Sequence, residues 1–162
     1  MKISTKILAV SIFSTMFNLA HAAGYGVIDL EKVVESSTYL KQQNVSLEQS
    51  IKPQTTKLEQ LGKEIEVLAK SAQAENANKQ QIATQYQAKM NEFQTLQQTV
   101  QSRVQTTIQN TNTVFDARVK QAAEQLRQEN NLDLVLNKNA ALAFDPKSDL
   151  TAKMIQKVNS IK

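Results

Sequence analysis

The chain contains no cysteine, and its one histidine is His21. It has three glycines (Gly24, Gly26, Gly62) and two prolines (Pro53, Pro146) in 162 residues. Each shortage removes a class of function. Without cysteine there is no disulfide framework and no thiol nucleophile. Beyond His21, no histidine can act as acid or base near neutral pH. Metal sites built from His or Cys are likewise excluded. None of the glycines stands in a phosphate-binding loop context. Carboxylates such as Glu64 and Glu66 stand two apart on a helix, point to different faces and cannot share a substrate. The composition argues against an enzyme, and no cofactor is expected.

Long hydrophobic runs are also missing. Met1–Lys6 carries two lysines and no acid, and Ile7–Leu19 is an apolar run too short to span a membrane. Ala20-His21-Ala22 then fits the small-residue rule for signal cleavage. Residues 1–22 therefore read as a cleaved signal peptide, with export to a bacterial periplasm. Cleavage removes His21, Lys2 and Lys6, so the formal charge falls from +4 by two lysines to +2. A pI near 9.3 raises the idea of a nucleic-acid partner. Export, the small mature charge and the absence of a basic cluster argue against one.

What is present is a stretch rich in glutamine, alanine and leucine from Leu40 to Glu129. Leu40, Leu47, Ile51, Leu58, Leu61, Ile65, Leu68 and Ala72 fall on the a and d positions of a heptad, with Asn44 and Gln54 as polar exceptions. A small polar segment at about residues 73–78 interrupts the pattern. It resumes with an eleven-residue period: Ile82, Phe93, Val104, Phe115 and Leu126, with a second row at Tyr86, Ile108 and Val119. Two long helices joined by a short polar link predict an antiparallel hairpin over 40–129. The outgoing helix would be about 50 Å long and the returning one about 75 Å. Pro53 should kink the outgoing helix. So thin a hairpin buries little surface, so it must project from a body built by residues 23–39 and 130–162.

In that body, Gly24–Asp29 reads as a strand carrying Val27 and Ile28, with Asp29 as N-cap of a short helix. Ser36-Ser37-Thr38 reads as a bend or restart. Asn130-Asn131 ends the long helix. Leu132–Leu136 reads as a strand, Asn137-Lys138-Asn139 as a turn, and Ala140–Phe144 as the returning strand of a β-hairpin. Asp149 can cap a last helix over Leu150–Ile161. The expected fold is mostly helical α+β: strand, helical hairpin, β-hairpin, short helix. Three strands have open edges and too little area to stand alone, so several chains should pool them. Val27, Ile28, Leu132, Leu134, Leu136, Leu142 and Phe144 are the candidates for that shared body.

These residues carry a resemblance. Leu132 to Phe144 (LDLVLNKNAALAF), followed by Ser148–Thr151, is similar to the C-terminal segment of the Skp or OmpH-like family of periplasmic chaperones. Gly26–Asp29 with its short helix resembles the family's start. The resemblance implies a homotrimer in which strands form a small barrel and three helical arms enclose a cavity. It implies an ATP-independent holdase that keeps unfolded outer-membrane β-barrel proteins in that cavity. The chain departs in charge: Leu40–Glu129 holds eleven Lys or Arg against nine acids. Steering should be weak, and contact with a membrane surface or lipopolysaccharide weak with it. Candidate client contacts are Leu61, Ile65, Leu68, Tyr86, Met90, Phe93, Val100 and Val104, whose other reading is that they only zip the arm together. Lys79, Lys89 and Arg103 could draw acidic clients. The alternative function is a structural or adaptor coiled-coil protein of the cell envelope.

Overall fold

The computed structural model describes residues 24–74 and 78–162. The expected signal peptide lies outside them. The element order is β1 (Tyr25–Ile28), α1 (Leu30–Ser36), α2 (Thr38–Ser71), α3 (Lys79–Glu129), β2 (Leu134–Asn137) and α4 (Thr151–Ser160), with 3₁₀ turns at Lys138–Ala140 and Pro146–Ser148. No helix among the described residues is long and apolar enough to cross a membrane.

Local chemistry sets the helix ends. Asp29 caps α1 by accepting from the Lys32 N–H at 3.2 Å. Ser37, buried at 1% exposure, serves two helices. Its N–H donates to the Val34 carbonyl and closes α1, while its hydroxyl accepts from the Leu40 N–H and opens α2. α2 then runs through Pro53 as one helix. Asn78 caps α3 through the Gln81 N–H. At the far end of α3, Asn131 takes a positive φ of 50°. The Leu132 N–H bonds the Arg127 carbonyl and the Asn131 N–H bonds the Gln128 carbonyl. That pair is a Schellman closure, with asparagine in the left-handed position that glycine usually fills.

α2 and α3 form the antiparallel hairpin that the two apolar periods predict. Arg118 lies over the Tyr39 ring at 4.1 Å, Lys57 pairs with Glu92 at 3.5 Å and Glu64 with Lys89 at 2.6 Å. Residue numbers rise on one helix as they fall on the other. The core lies at the root of the hairpin, where Ile28, Val33, Phe115, Ala122, Leu126, Leu150, Met154 and Val158 pack. α4 contributes one face of this core, as its apolar spacing predicts. Asn159 on α4 also plugs the joint between α1 and α2. Its amide donates to the Ser36 carbonyl at 3.1 Å and its oxygen accepts from the Thr38 N–H at 2.9 Å.

The β-hairpin is corrected. β1 and β2 pair in parallel, Tyr25 with Leu134 through Ile28 with Asn137, and the whole helical arm is their crossover. Ala140–Phe144 is not a strand among the described residues. Two causes act together. Neither Asn137 nor Asn139 adopts the left-handed conformation a tight hairpin turn needs, and Asn137 stays extended at φ −72°. The chain then enters a 3₁₀ turn, closed by the Ala141 N–H on the Lys138 carbonyl, that leads away from β2. The other side of β1 is taken instead by Asp149, in a parallel bridge with Val27, and by the Leu150 N–H on the Val27 carbonyl at 2.8 Å.

Candidate functional site

The arm carries the apolar residues that the core does not absorb. A heptad seam predicts that its a and d residues meet the partner helix, and Leu61 does so completely at 0% exposure. Leu61 therefore zips the hairpin and offers no surface to a ligand. Ile65, Leu68, Met90, Phe93, Val100 and Val104 are half-buried, and Tyr86 is exposed at the boundary. The reason is geometric. Two helices bury one stripe each against the other, and flanking apolar groups keep part of their surface in water.

Two grooves collect these groups. The first runs between the helices near the arm's free end. It has a volume of about 580 Å³ and is lined by Lys63, Glu64, Val67, Leu68, Gln85, Ala88 and Lys89. The second has a volume of about 400 Å³ and belongs to α3 alone, lined by Val100, Gln101, Val104, Gln105, Ile108 and Gln109. Between them the arm is cross-tied by charge. Lys89 bridges Glu64 on α2 and Glu92 on its own helix, and Glu92 also holds Lys57. The bond from Lys89 pulls the Glu64 carboxyl below its usual range, and Glu64 in turn raises the Lys89 amine. Both stay charged at neutral pH, and each neutralises the other. Arg103 is partnered too: with the Gln54 amide turned to satisfy both its ends, its oxygen accepts from Arg103 Nη1 at 3.3 Å. Lys89 is thus not a bare charge facing solvent, whereas Arg103 stays exposed beside a neutral amide.

The body shows a third surface. Of the candidate body residues, Val27 and Ile28 are buried within their own chain at 1% and 6% exposure. Leu132 and Phe144 are half-buried. Leu134 and Leu136 project from one face of β2 and remain exposed, and Leu142 stands wholly in solvent. Sequence reasoning missed Val67, which is 61% exposed on the rim of the distal groove beside the heptad residue Leu68. It also left Ile108 out of the client contacts, although its eleven-residue row was visible. Among the described residues, no group of three or more His, Cys, Asp or Glu is placed to hold a metal ion.

A long antiparallel helical arm rooted in a small α/β body defines the class: a helical-arm protein with a polar arm surface of small net charge. The chain belongs to the OmpH-like family of outer membrane proteins, which it matches over residues 24–158. Among solved structures it is similar to an OmpH-like protein of Caulobacter crescentus CB15, described as a candidate outer membrane chaperone. The match has a TM-score of 0.70 and 21% identity, and covers 85% of each chain. That likeness shows the fold. No curated protein matches the chain.

Proposed function

We propose that this chain is a periplasmic holdase that needs no ATP and binds unfolded outer-membrane β-barrel proteins between the arms of a homotrimer. The observation that carries the reading is an arm whose apolar side chains remain half-exposed along a polar, nearly neutral surface. An unfolded client presents scattered apolar groups. Many weak contacts on a wetted surface retain it without giving it a fixed structure. Apolar burial stabilises by roughly 25 cal/mol per Å², and arms acting together multiply weak contacts through effective concentration. The exposed Leu134, Leu136 and Leu142 supply the surface on which chains associate. The division into a signal peptide, a body of residues 23–39 and 130–162, and an arm of residues 40–129 belongs to the same proposal.

The test is native mass spectrometry of the protein alone and mixed with a freshly denatured outer-membrane β-barrel protein, with no nucleotide present. A trimer that captures one client is the expected result. A trimer that ignores the client would replace this reading with a structural role in the envelope. A bare monomer would remove the cavity altogether.

A further inference from the structure

The arm leaves the body on two legs, and the legs are rooted differently. α3 enters unbroken and buries Phe115, Ala122 and Leu126 in the core. α2 buries only Leu61, far up the arm. Its foot, Tyr39 and Leu40, packs half-buried on the edge of the core. Behind the foot the chain leaves the helical conformation at a single residue, Ser37, with ψ 115°. α1 and α2 are therefore separate rods joined by one extended residue.

Directional bonds fasten this foot from the end of α4. The Asn159 oxygen accepts from the Thr38 N–H at 2.9 Å and from the Thr38 hydroxyl at 3.1 Å. The Asn159 amide donates to the Ser36 carbonyl on the other side of the break. Arg118 on α3 lies over the Tyr39 ring and donates to the Ile161 carbonyl at 2.6 Å. The end of α4 thus grips both rods at the break and, through Arg118, the second leg.

A hairpin of two helices bends in its own plane only if the helices slide past each other. With axes about 8–10 Å apart, a bend of about 20° offsets them by about 3 Å. Higher up, Leu61 is sealed between the helices, and Lys57–Glu92 and Glu64–Lys89 hold their register. The offset must then appear at the foot of α2, where the Ser37 break can take it up. The apolar packing of Tyr39 and Leu40 is non-directional and tolerates a slide. Hydrogen bonds to Asn159 do not survive one of that size.

The geometry points to Asn159 as a clasp that stops α2 from sliding, so that the last turn of α4 sets the stiffness of the arm. With the clasp made, the two legs bend only as one stiff rod. With it broken, the arm swings in the plane of its helices, and a bend of about 20° carries the tip roughly 17 Å. The inference stands without the holdase reading; under that reading, the clasp sets how wide the arms open around a client.

Double electron–electron resonance between spin labels at Gln80→Cys and Lys147→Cys tests this. Both positions are exposed, one at the arm's free end and one on the body, and the chain has no cysteine of its own. Dilution with unlabelled protein isolates the pair within one chain. The parent should give one narrow distance distribution. Asn159→Ala should broaden it by several ångströms at unchanged helicity by circular dichroism. Thr38→Pro should do the same, because it removes the N–H and the hydroxyl that Asn159 accepts from. It suits the helix, since proline is favoured at the first helical position and Ser37 already has the extended backbone that precedes a proline. The test therefore survives if Asn159→Ala fails to fold. Lys157→Ala cuts the ion pair from α4 to Glu129, away from the break, and should leave the distribution narrow. Unchanged width in either folded variant, or a parent as broad as the variants, would overturn the clasp. Equal broadening by Lys157→Ala would also overturn it, by showing a general loosening of α4. No client enters the measurement, so a failure of the holdase reading is seen separately, in client capture.

Discussion

Two glycines show how one residue type serves opposite ends. Gly26 lies in β1 where a Cβ would come within 2.5 Å of Leu150 Cδ1 and 3.0 Å of Leu132 Cδ1. Its bareness lets α4 and the β2 approach close over the strand. Gly62 lies inside α2 with nothing within 4 Å of the position a Cβ would take. There its cost is the helix entropy of glycine, with no packing in return. Gly62→Ala should stabilise the protein by about 0.5–1 kcal/mol, whereas Gly26→Ala should destabilise it, as overpacked core sites do. Urea unfolding followed by circular dichroism checks both. A Gly62→Ala protein less stable than the parent would show that the arm needs a compliant point there.

At the scale of the element, the helices are held at their ends by carboxylates that work only when ionised. Asp29 accepts from the first turn of α1, and the Lys32 N–H lowers its pKa. Asp149 is lowered by its bonds with Thr151 at the start of α4. Glu124, gripped by Arg127 at 2.7 Å and by Gln128 in the last turns of α3, falls from 4.5 to about 2. Each folded pKa lies below the unfolded value. The stability these groups contribute is therefore present above the unfolded pKa and lost as pH falls through the folded one. Thermal unfolding should drop in temperature as pH falls from about 4.5 toward about 2. Glu124→Gln should make that decline shallower. An acid profile identical to the parent's would show that Glu124 is equally shielded in the unfolded chain. The ion pairs of the arm are half-exposed and serve register more than stability.

The whole molecule has a small core for so long an arm, and its two-stranded sheet keeps an open edge at β2. Removing β1 would not isolate assembly, because Val27 and Ile28 fill the protomer's own interior. Leu134 and Leu136 are the cleaner probes, at 38% and 36% exposure. Leu134→Lys with Leu136→Lys places charge on an edge strand, a standard block to edge pairing. If chains associate through β2 as proposed, the variant should keep its helicity and lose that association on native mass spectrometry. An unchanged oligomer would move the association surface away from β2.

The sequence by itself determined most of what acts over one or two helical turns, the turn after β2 excepted. The heptad and eleven-residue stripes marked α2 and α3, Asp29 marked the start of α1, Ser36-Ser37-Thr38 marked the break before α2, and Asn130-Asn131 marked the close of α3. These signals are local, because a cap bonds within three or four residues and a stripe repeats every turn. Only the tertiary structure decided that β2 lies parallel beside β1, since Gly24 and Asp133 meet across 109 positions of chain and no local signal chooses between that pairing and a hairpin. It also decided which apolar residues of the arm are spent. Leu61 and Tyr86 look alike as members of apolar rows, yet one is sealed between helices and the other faces water. Exposure depends on how two helices are rotated against each other, and a repeat in one helix does not record the rotation of its neighbour.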